Sequence, residues 1–373
     1  NPEAKKIFVK ENLWKKGDVF QQRDLAQTLK RISKFGRDEF YSGETAKKIV
    51  IYFQNNGGIF TRNDFINYKS TFKLPLCSTF IDYEVCSMSL PSSGGVVLSQ
   101  SLNILENFNL TSYDHNSLEY NRLLIEAMRF SFADRSKFLG DSDFNNFDIS
   151  RLTSKKYAKS LSKIIKNSSR KIIIDTPGEY LAESEETTHF SIIDSLGNVV
   201  SNTYTLNTAY GSGIIAKGTG ILMNNEMDDF SIKPGYPNFF GLVGSEANKV
   251  EPSKAPLSSM TPTIVFKDGK PYLITGSPGG STIISTVLQL LLNIMIFDMK
   301  IDDASIAKRI HHQWKPDILF IENEKNIKNI NKIGFDTVYR ERIGESHSIL
   351  FNEEKYEGFA DLRRPDGRAI SVH

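Results

Sequence analysis

Residues 185 to 189 read Glu-Glu-Thr187-Thr188-His189 and open an alternating segment that runs to Asp194, turns through Ser195-Leu196-Gly197, and returns from Asn198 to Asn207. A threonine at the head of such a strand, behind a polar linker, can become a nucleophile if the chain is cut in front of it. Further on, Gly276-Ser277-Pro278-Gly279-Gly280-Ser281 joins a short strand to an apolar helix. Adjacent glycines there let two backbone N–H groups point into one concavity at a positive helix end, which suits an oxyanion, although a tight strand-to-helix turn needs the same glycines. Asn224-Asn225-Glu226-Met227-Asp228-Asp229-Phe230 gathers acceptors that could grip an ammonium or a hard cation, or simply cap a turn. Pro256-Leu257-Ser258-Ser259-Met260 offers two hydroxyls in a loop. The adjacent His311 and His312 lack an HExxH pattern or a second cluster, so packing rather than metal binding is expected of them. GxSxG, Walker A and GxGxxG patterns are absent, which removes the common serine hydrolase, nucleotide and Rossmann readings.

These groups need a scaffold, and the turn at Gly197 supplies part of it. Asp194 and Asn198 flank a three-residue loop whose last member is glycine, the position that requires φ > 0 in a type I turn with a G1 bulge. That closure sets Thr187 opposite Thr205. Alternation then places Thr187, His189, Thr203, Thr205 and Asn207 on one polar face, with Phe190, Ile192, Val200, Tyr204 and Leu206 on an apolar face available for burial. Upstream, residues 20 to 56 are helical with Leu25, Leu29 and Ile32 on one stripe, residues 77 to 88 form a strand pair, and helices run over 96 to 108 and 118 to 139. From 167 to 186 the composition is that of a linker. Strands are expected over 220–225, 261–266 and 271–275, the last two joined at Gly269, and helices over 281–297 and near 301–310.

A chain of 373 residues holds one large or two ordinary domains, and a net charge of +2 offers no bulk argument for nucleic acid or an anionic membrane. Residues 282–299, the most apolar stretch, are broken by Ser285, Gln289 and Asn293 and read as a buried helix rather than a membrane span. The two cysteines, Cys77 and Cys86, flank a short turn that could set them opposite in a hairpin and let them bond in an oxidising compartment; two free, half-buried thiols are the preferred reading. No signal peptide is visible at Asn1, and because the chain does not begin with Met its absence says nothing.

Taken in order, Thr187-Thr188-His189-Phe190-Ser191, the Asp194–Asn198 turn, Thr203 to Asn207, Leu222 to Phe230, Pro256 to Met260 and Gly276 to Ser281 closely resemble the small subunit of γ-glutamyltransferases. Pro91-Ser92-Ser93-Gly94-Gly95 and the run from Ala133-Asp134-Arg135 to Leu139-Gly140-Asp141 resemble the latter part of that family's large subunit, so the resemblance covers essentially the whole chain. It implies an α+β fold, a four-layer αββα sandwich of the N-terminal nucleophile hydrolase type, in which a precursor cuts itself before a threonine. Residues 1–186 would be the end of the large subunit and 187–373 the small subunit, both from one precursor, with the cut between Glu186 and Thr187.

By the same resemblance Thr187 is the nucleophile that attacks the γ-carbonyl of glutathione or glutamine, its freed α-amine the base, and Thr205 its hydrogen-bond partner. Gly279 and Gly280 form the oxyanion hole. Asn207, Glu226 and Asp229 hold the substrate ammonium, and Ser258 and Ser259 part of the α-carboxylate. Glu226 is glutamine in some members and glutamate in others. No cofactor and no metal are implied; water, amino acids or peptides are the acceptors, and a periplasmic, extracellular or cell-surface location is expected. Two departures stand out. In the lid region, residues 234 to 245, Phe240 occupies a position where many bacterial members carry an aromatic hydroxyl. The family's N-terminal portion, with the arginine that pairs the α-carboxylate, has no counterpart here, and such a charge-assisted contact contributes about 1.5 to 3 kcal/mol. The alternatives are a cephalosporin-acylase-like specificity, against which the acid group and serine pair argue, and a truncated, catalytically silent homologue.

Overall fold

The structure is a computed structural model and describes residues 1–168, 187–322, 333–352 and 354–372. Glu186 and most of the expected linker lie outside the described residues. Two compact units emerge, one made of Asn1–Lys73 with Leu206–Asn225 and the other of Leu74–Thr205 with Glu226–His373.

The smaller unit is helical: α1 (Pro2–Phe8), α2 (Arg23–Phe35), α3 (Arg37–Tyr41), α4 (Glu44–Asn55) and α5 (Arg62–Asn67). Its starts are fixed locally, α1 by the Asn1 side chain and α5 by a reciprocal Thr61–Asp64 capping box. The stripe expected on α2 is only partly covered, and Leu29 is 54% exposed. The helix docks instead through small groups: Thr28 donates to the Thr219 carbonyl at 2.8 Å, and a Cβ on Gly220 would lie 2.2 Å from the Leu25 nitrogen. The strand expected over 220–225 is not formed. Gly211, Gly213, Gly218 and Gly220 all take positive φ, which breaks the ladder down to a single Ile215–Leu222 bridge.

The larger unit is built on a six-stranded antiparallel sheet in the order β1-β2-β5-β6-β10-β11. Its strands are β1 (Leu76–Phe80), β2 (Tyr83–Ser87), β5 (Thr263–Lys267), β6 (Lys270–Thr275), β10 (His347–Phe351) and β11 (Tyr356–Ala360). The remaining strands form a hairpin, β3 (Thr188–Ile193) with β4 (Val199–Tyr204), and a small sheet of β7 (Ile310–His311), β8 (Ile318–Glu322) and β9 (Asp336–Arg340). Helices α6 (Gly94–Leu105), α7 (Leu118–Phe138), α8 (Lys155–Lys166), α9 (Thr282–Met295) and α10 (Ile301–Ile306) complete it. Leu102, Leu124, Met128, Leu288 and Leu291 knit α6, α7 and α9 into one apolar cluster with Val265 and Leu273 of the sheet. α9 is buried through residue 294, and no helix among the described residues is long and apolar enough to cross a membrane.

Two expectations are corrected here. Cys77 and Cys86 are disulfide-bonded rather than free: the β1–β2 register sets them directly opposite, with Cα atoms 4.0 Å apart. The β3–β4 hairpin also turns the other way from expectation. Its apolar residues face outward, with Phe190 40%, Ile192 50%, Val200 46% and Tyr204 57% exposed. The polar face packs on β6 and β10, because Ser201 donates to the Thr275 carbonyl at 2.8 Å and Ser191 to the His347 carbonyl at 2.9 Å, satisfying backbone groups that an apolar face would leave unpaired.

Candidate active site

The hairpin loop closes as its residues dictate: Gly197 has φ +84°, and the Asp194 N–H donates to the Asn198 carbonyl at 3.0 Å. The register pairs Thr188 with Tyr204 and His189 with Thr203, so the next pair outward is Thr187 with Thr205. The Thr187 hydroxyl donates to Thr205 Oγ1 at 3.3 Å. One pair further in, His189 is buried, with Nδ1 2.8 Å from Thr203 Oγ1 and Nε2 3.2 Å from Ser191 Oγ. Burial, reinforced by His347, pushes its pKa down to about 3, so the ring is neutral at ordinary pH. The ring lies against Gly276, where a Cβ would come 2.3 Å from His189 Cε1. Absence of a side chain at Gly276 is therefore what lets the hairpin approach the 276–281 loop.

That loop delivers the glycine pair. Gly279 has φ +130° and Gly280 φ +53°, and their carbonyls are taken by the first turn of α9, Thr282 N–H to Gly279 at 2.9 Å and Ile283 N–H to Gly280 at 3.3 Å. Neither glycine N–H has an acceptor among the described residues. Two backbone donors at the start of a 14-residue helix are placed to receive negative charge.

Glu226 to Asp229 form a single 3-10 turn. Burial pushes the Glu226 carboxyl up to about 7. Asp229 is pushed up to about 8, first by burial and then by Glu226, with Arg135 pulling the other way. Two partly desolvated carboxyls side by side favour a cation between them. The serine loop is tied to this turn by Asn248, whose side chain donates to the Asp229 carbonyl at 2.8 Å and accepts from the Leu257 N–H at 3.0 Å. Ser259 Oγ accepts from Arg135 Nη2 at 3.2 Å, and Ser258 Oγ accepts from the Met260 N–H at 3.1 Å.

The 234–245 segment folds back on itself through a Pro237–Val243 bridge and an Asn238 N–H to Leu242 carbonyl bond of 3.0 Å. The Phe239 N–H donates to the Asp228 carboxylate at 2.9 Å, and Gln313 Nε2 donates to the Phe240 carbonyl at 2.9 Å. Phe240 is 4% exposed, so its ring is packed rather than presented. His311 and His312 are both fully buried, His311 against Ser285 and Gln313, as packing requires.

Asn207 belongs to the smaller unit. It is a buried residue at φ +76°, and its amide donates to the Asn225 carbonyl at 3.3 Å. Asparagine tolerates this left-handed conformation better than most residues. Three residues that shape the site drew no role from sequence alone: Arg135, Ser93 and Asn248. Arg135 sits on α7 and is 4% exposed; a cation late in a largely buried helix was its available signal. Asn248 has no sequence signature, since its contacts span loops brought together only by folding.

The fold and this threonine-headed hairpin define a class first. The structure superposes on a cephalosporin acylase from Bacillus halodurans with a TM-score of 0.81 at 22% identity, covering 96% of this chain and 64% of that one. The fold is α+β and is the one this acylase has. The family model described as gamma-glutamyltranspeptidase matches residues 1–371, and the chain belongs to that family. A protein named glutathione hydrolase proenzyme from Escherichia coli (strain K12) is 45% identical over 370 residues, covering 97% of this chain. One of the same name from Pseudomonas aeruginosa is 44% identical over 307 residues, covering 81%. The chain spans 64% and 54% of the length of these two relatives.

Proposed function

We propose that the protein is a γ-glutamyl hydrolase and transferase that cleaves the γ-glutamyl amide of glutathione-like compounds, and that it is made as a precursor cut between Glu186 and Thr187, with residues 1–186 the end of the large subunit and 187–373 the small subunit. The observation that carries this reading is the Thr187–Thr205 hydroxyl contact at the head of β3. In this mechanism Thr187 Oγ attacks the γ-carbonyl carbon while its proton passes to the α-amine freed by the cut. The N–H groups of Gly279 and Gly280 receive the oxyanion. Collapse expels the substrate amine, which leaves with the proton, and a γ-glutamyl–threonine ester remains. Water or an acceptor amine then attacks that ester and releases Thr187.

Glu226 and Asp229 hold the substrate's α-ammonium, a role the family resemblance also gives Asn207; Ser258 and Ser259 donate to its α-carboxylate; and the loop carrying Phe240 acts as the lid. The raised carboxyls of Glu226 and Asp229 support this, since an ammonium offsets the burial that raises both and the Glu226 charge that adds to it at Asp229. The same pair disfavours an acylase that takes a side chain without an ammonium. The disulfide supports an oxidising setting, in line with a periplasmic, extracellular or cell-surface location. Mass spectrometry of purified protein tests the scheme. It should give a fragment beginning at Thr187, and Thr187→Ala should remain one chain without activity; an active, uncut Thr187→Ala protein refutes it.

A further inference from the structure

Arg135 reaches the serine loop from α7. Its Nε–H donates to Ser93 Oγ at 2.8 Å and its Nη2 to Ser259 Oγ at 3.2 Å, with the Leu257 carbonyl at 3.5 Å from the same nitrogen. Ser93 passes the contact on, because its hydroxyl and its N–H donate to the Ser258 carbonyl at 2.8 and 2.9 Å. The donor count has a consequence for both loop serines. A hydroxyl has one hydrogen to give and two lone pairs to accept with, and an incoming donor fills one of them and favours donation on the other side. Ser259 Oγ receives Arg135 and Ser258 Oγ receives the Met260 N–H, and among the described residues neither hydroxyl hydrogen has an acceptor. Both serines therefore present O–H groups with a buried guanidinium behind them, an arrangement that selects an anion.

We propose that Arg135 is a positioning residue for an α-carboxylate: it turns Ser259 toward donating, holds Ser258 through Ser93, and lends positive charge to these two neutral hydroxyls. The inference rests on the γ-glutamyl reading above and adds to it a buried cation behind the two serines. Arginine suits this place better than lysine, because two separate arms of one planar group reach two serines, which a single ammonium cannot do. Asp229 lies in the field of the same guanidinium, so the two halves of an amino-acid head group are referenced to one buried cation.

The test is calorimetric binding to the full-length protein of three probes: L-glutamate, glutarate, which lacks the ammonium, and γ-aminobutyrate, which lacks the α-carboxylate. Arg135→Gln should weaken L-glutamate and glutarate by about tenfold or more, the size expected of charge-assisted contacts, and change γ-aminobutyrate clearly less, since that probe feels Arg135 only through the ionisation of Asp229. Arg135→Lys should move the same two probes in the same direction by less, and it decides the matter if the glutamine variant does not fold. Equal weakening of all three probes, or no weakening of the carboxylate pair, overturns the proposal. Failure of the unmodified protein to bind L-glutamate overturns the functional reading itself, and is seen before any substitution is made.

Discussion

Acid should loosen the grip of the site on an amino acid, and the structure sets the size of the effect. Burial pushes Asp229 up to about 8, with Glu226 adding to the shift, and burial pushes Glu226 up to about 7. An ammonium binds to the ionised form, so protonation removes the charge it needs; the affinity falls as pH falls through these values and saturates above them. With a midpoint of about 8 for Asp229, the ionised fraction is about 3% at pH 6.5 and about 76% at pH 8.5, a ratio of about 25-fold in affinity. Because the two carboxyls interact, the measured curve belongs to the pair rather than to either residue. Isothermal titration of L-glutamate from pH 6.5 to 8.5 at fixed ionic strength reads this directly. Below the midpoint, binding should release a proton, visible as a dependence of the heat on the buffer's ionisation enthalpy. Asp229→Asn should weaken binding at pH 8.5 and flatten the profile. An affinity that stays level, or improves toward acid, would refute the assignment of an ammonium to this pair.

Other perturbations follow from single contacts. Thr205→Val keeps the strand and removes the 3.3 Å partner of Thr187; the melting temperature should hold while turnover falls by roughly two- to tenfold, since a lost hydrogen bond is worth about 0.5–1.5 kcal/mol, and unchanged turnover would count against the pairing. Gly276→Ala would drive a methyl group to 2.3 Å from His189 Cε1, so urea unfolding should show a loss of about 1 to 3 kcal/mol. Reducing the Cys77–Cys86 bond, or replacing both residues by serine, should cost about 2 to 3 kcal/mol of stability, as expected for closing a loop with a sequence separation of 9.

Legibility in the sequence tracked how local each determinant was. The Thr187–Thr205 contact could be counted from Gly197 because turn type and loop length set the register of a hairpin, and the observed pairing of His189 with Thr203 keeps that count. α7 spans Leu118–Phe138 against an expected 118–139, since Ser117 caps its start and apolar spacing carries the rest. Which face of the hairpin turns inward is not a local property. Alternation separates the two faces, but the choice between them was made by Gly276 and by the backbone carbonyls of Thr275 and His347, far away in the chain. The strand expected over 220–225 failed for a related reason: four glycines at positive φ outweighed its apolar pattern. Arg135 and Asn248 act only across contacts of long sequence separation, such as Arg135 to Ser259, and no window of sequence contains both ends.

The inward polar face of the β3–β4 hairpin bears on how sharply a reacting atom can be located. Greasy surfaces attract one another with little regard for direction, and a strand resting on one can slide by a fraction of a residue at small cost. Ser191 and Ser201 are tied to individual carbonyls, and the His189 ring occupies the space left open at Gly276, so a sliding strand would break every one of these ties together. Thr187 stands two residues from the nearest of these anchors. The strand behaves less like an oiled bearing than like a keyed shaft, and the tolerance of the key is the tolerance of the hydroxyl at its tip.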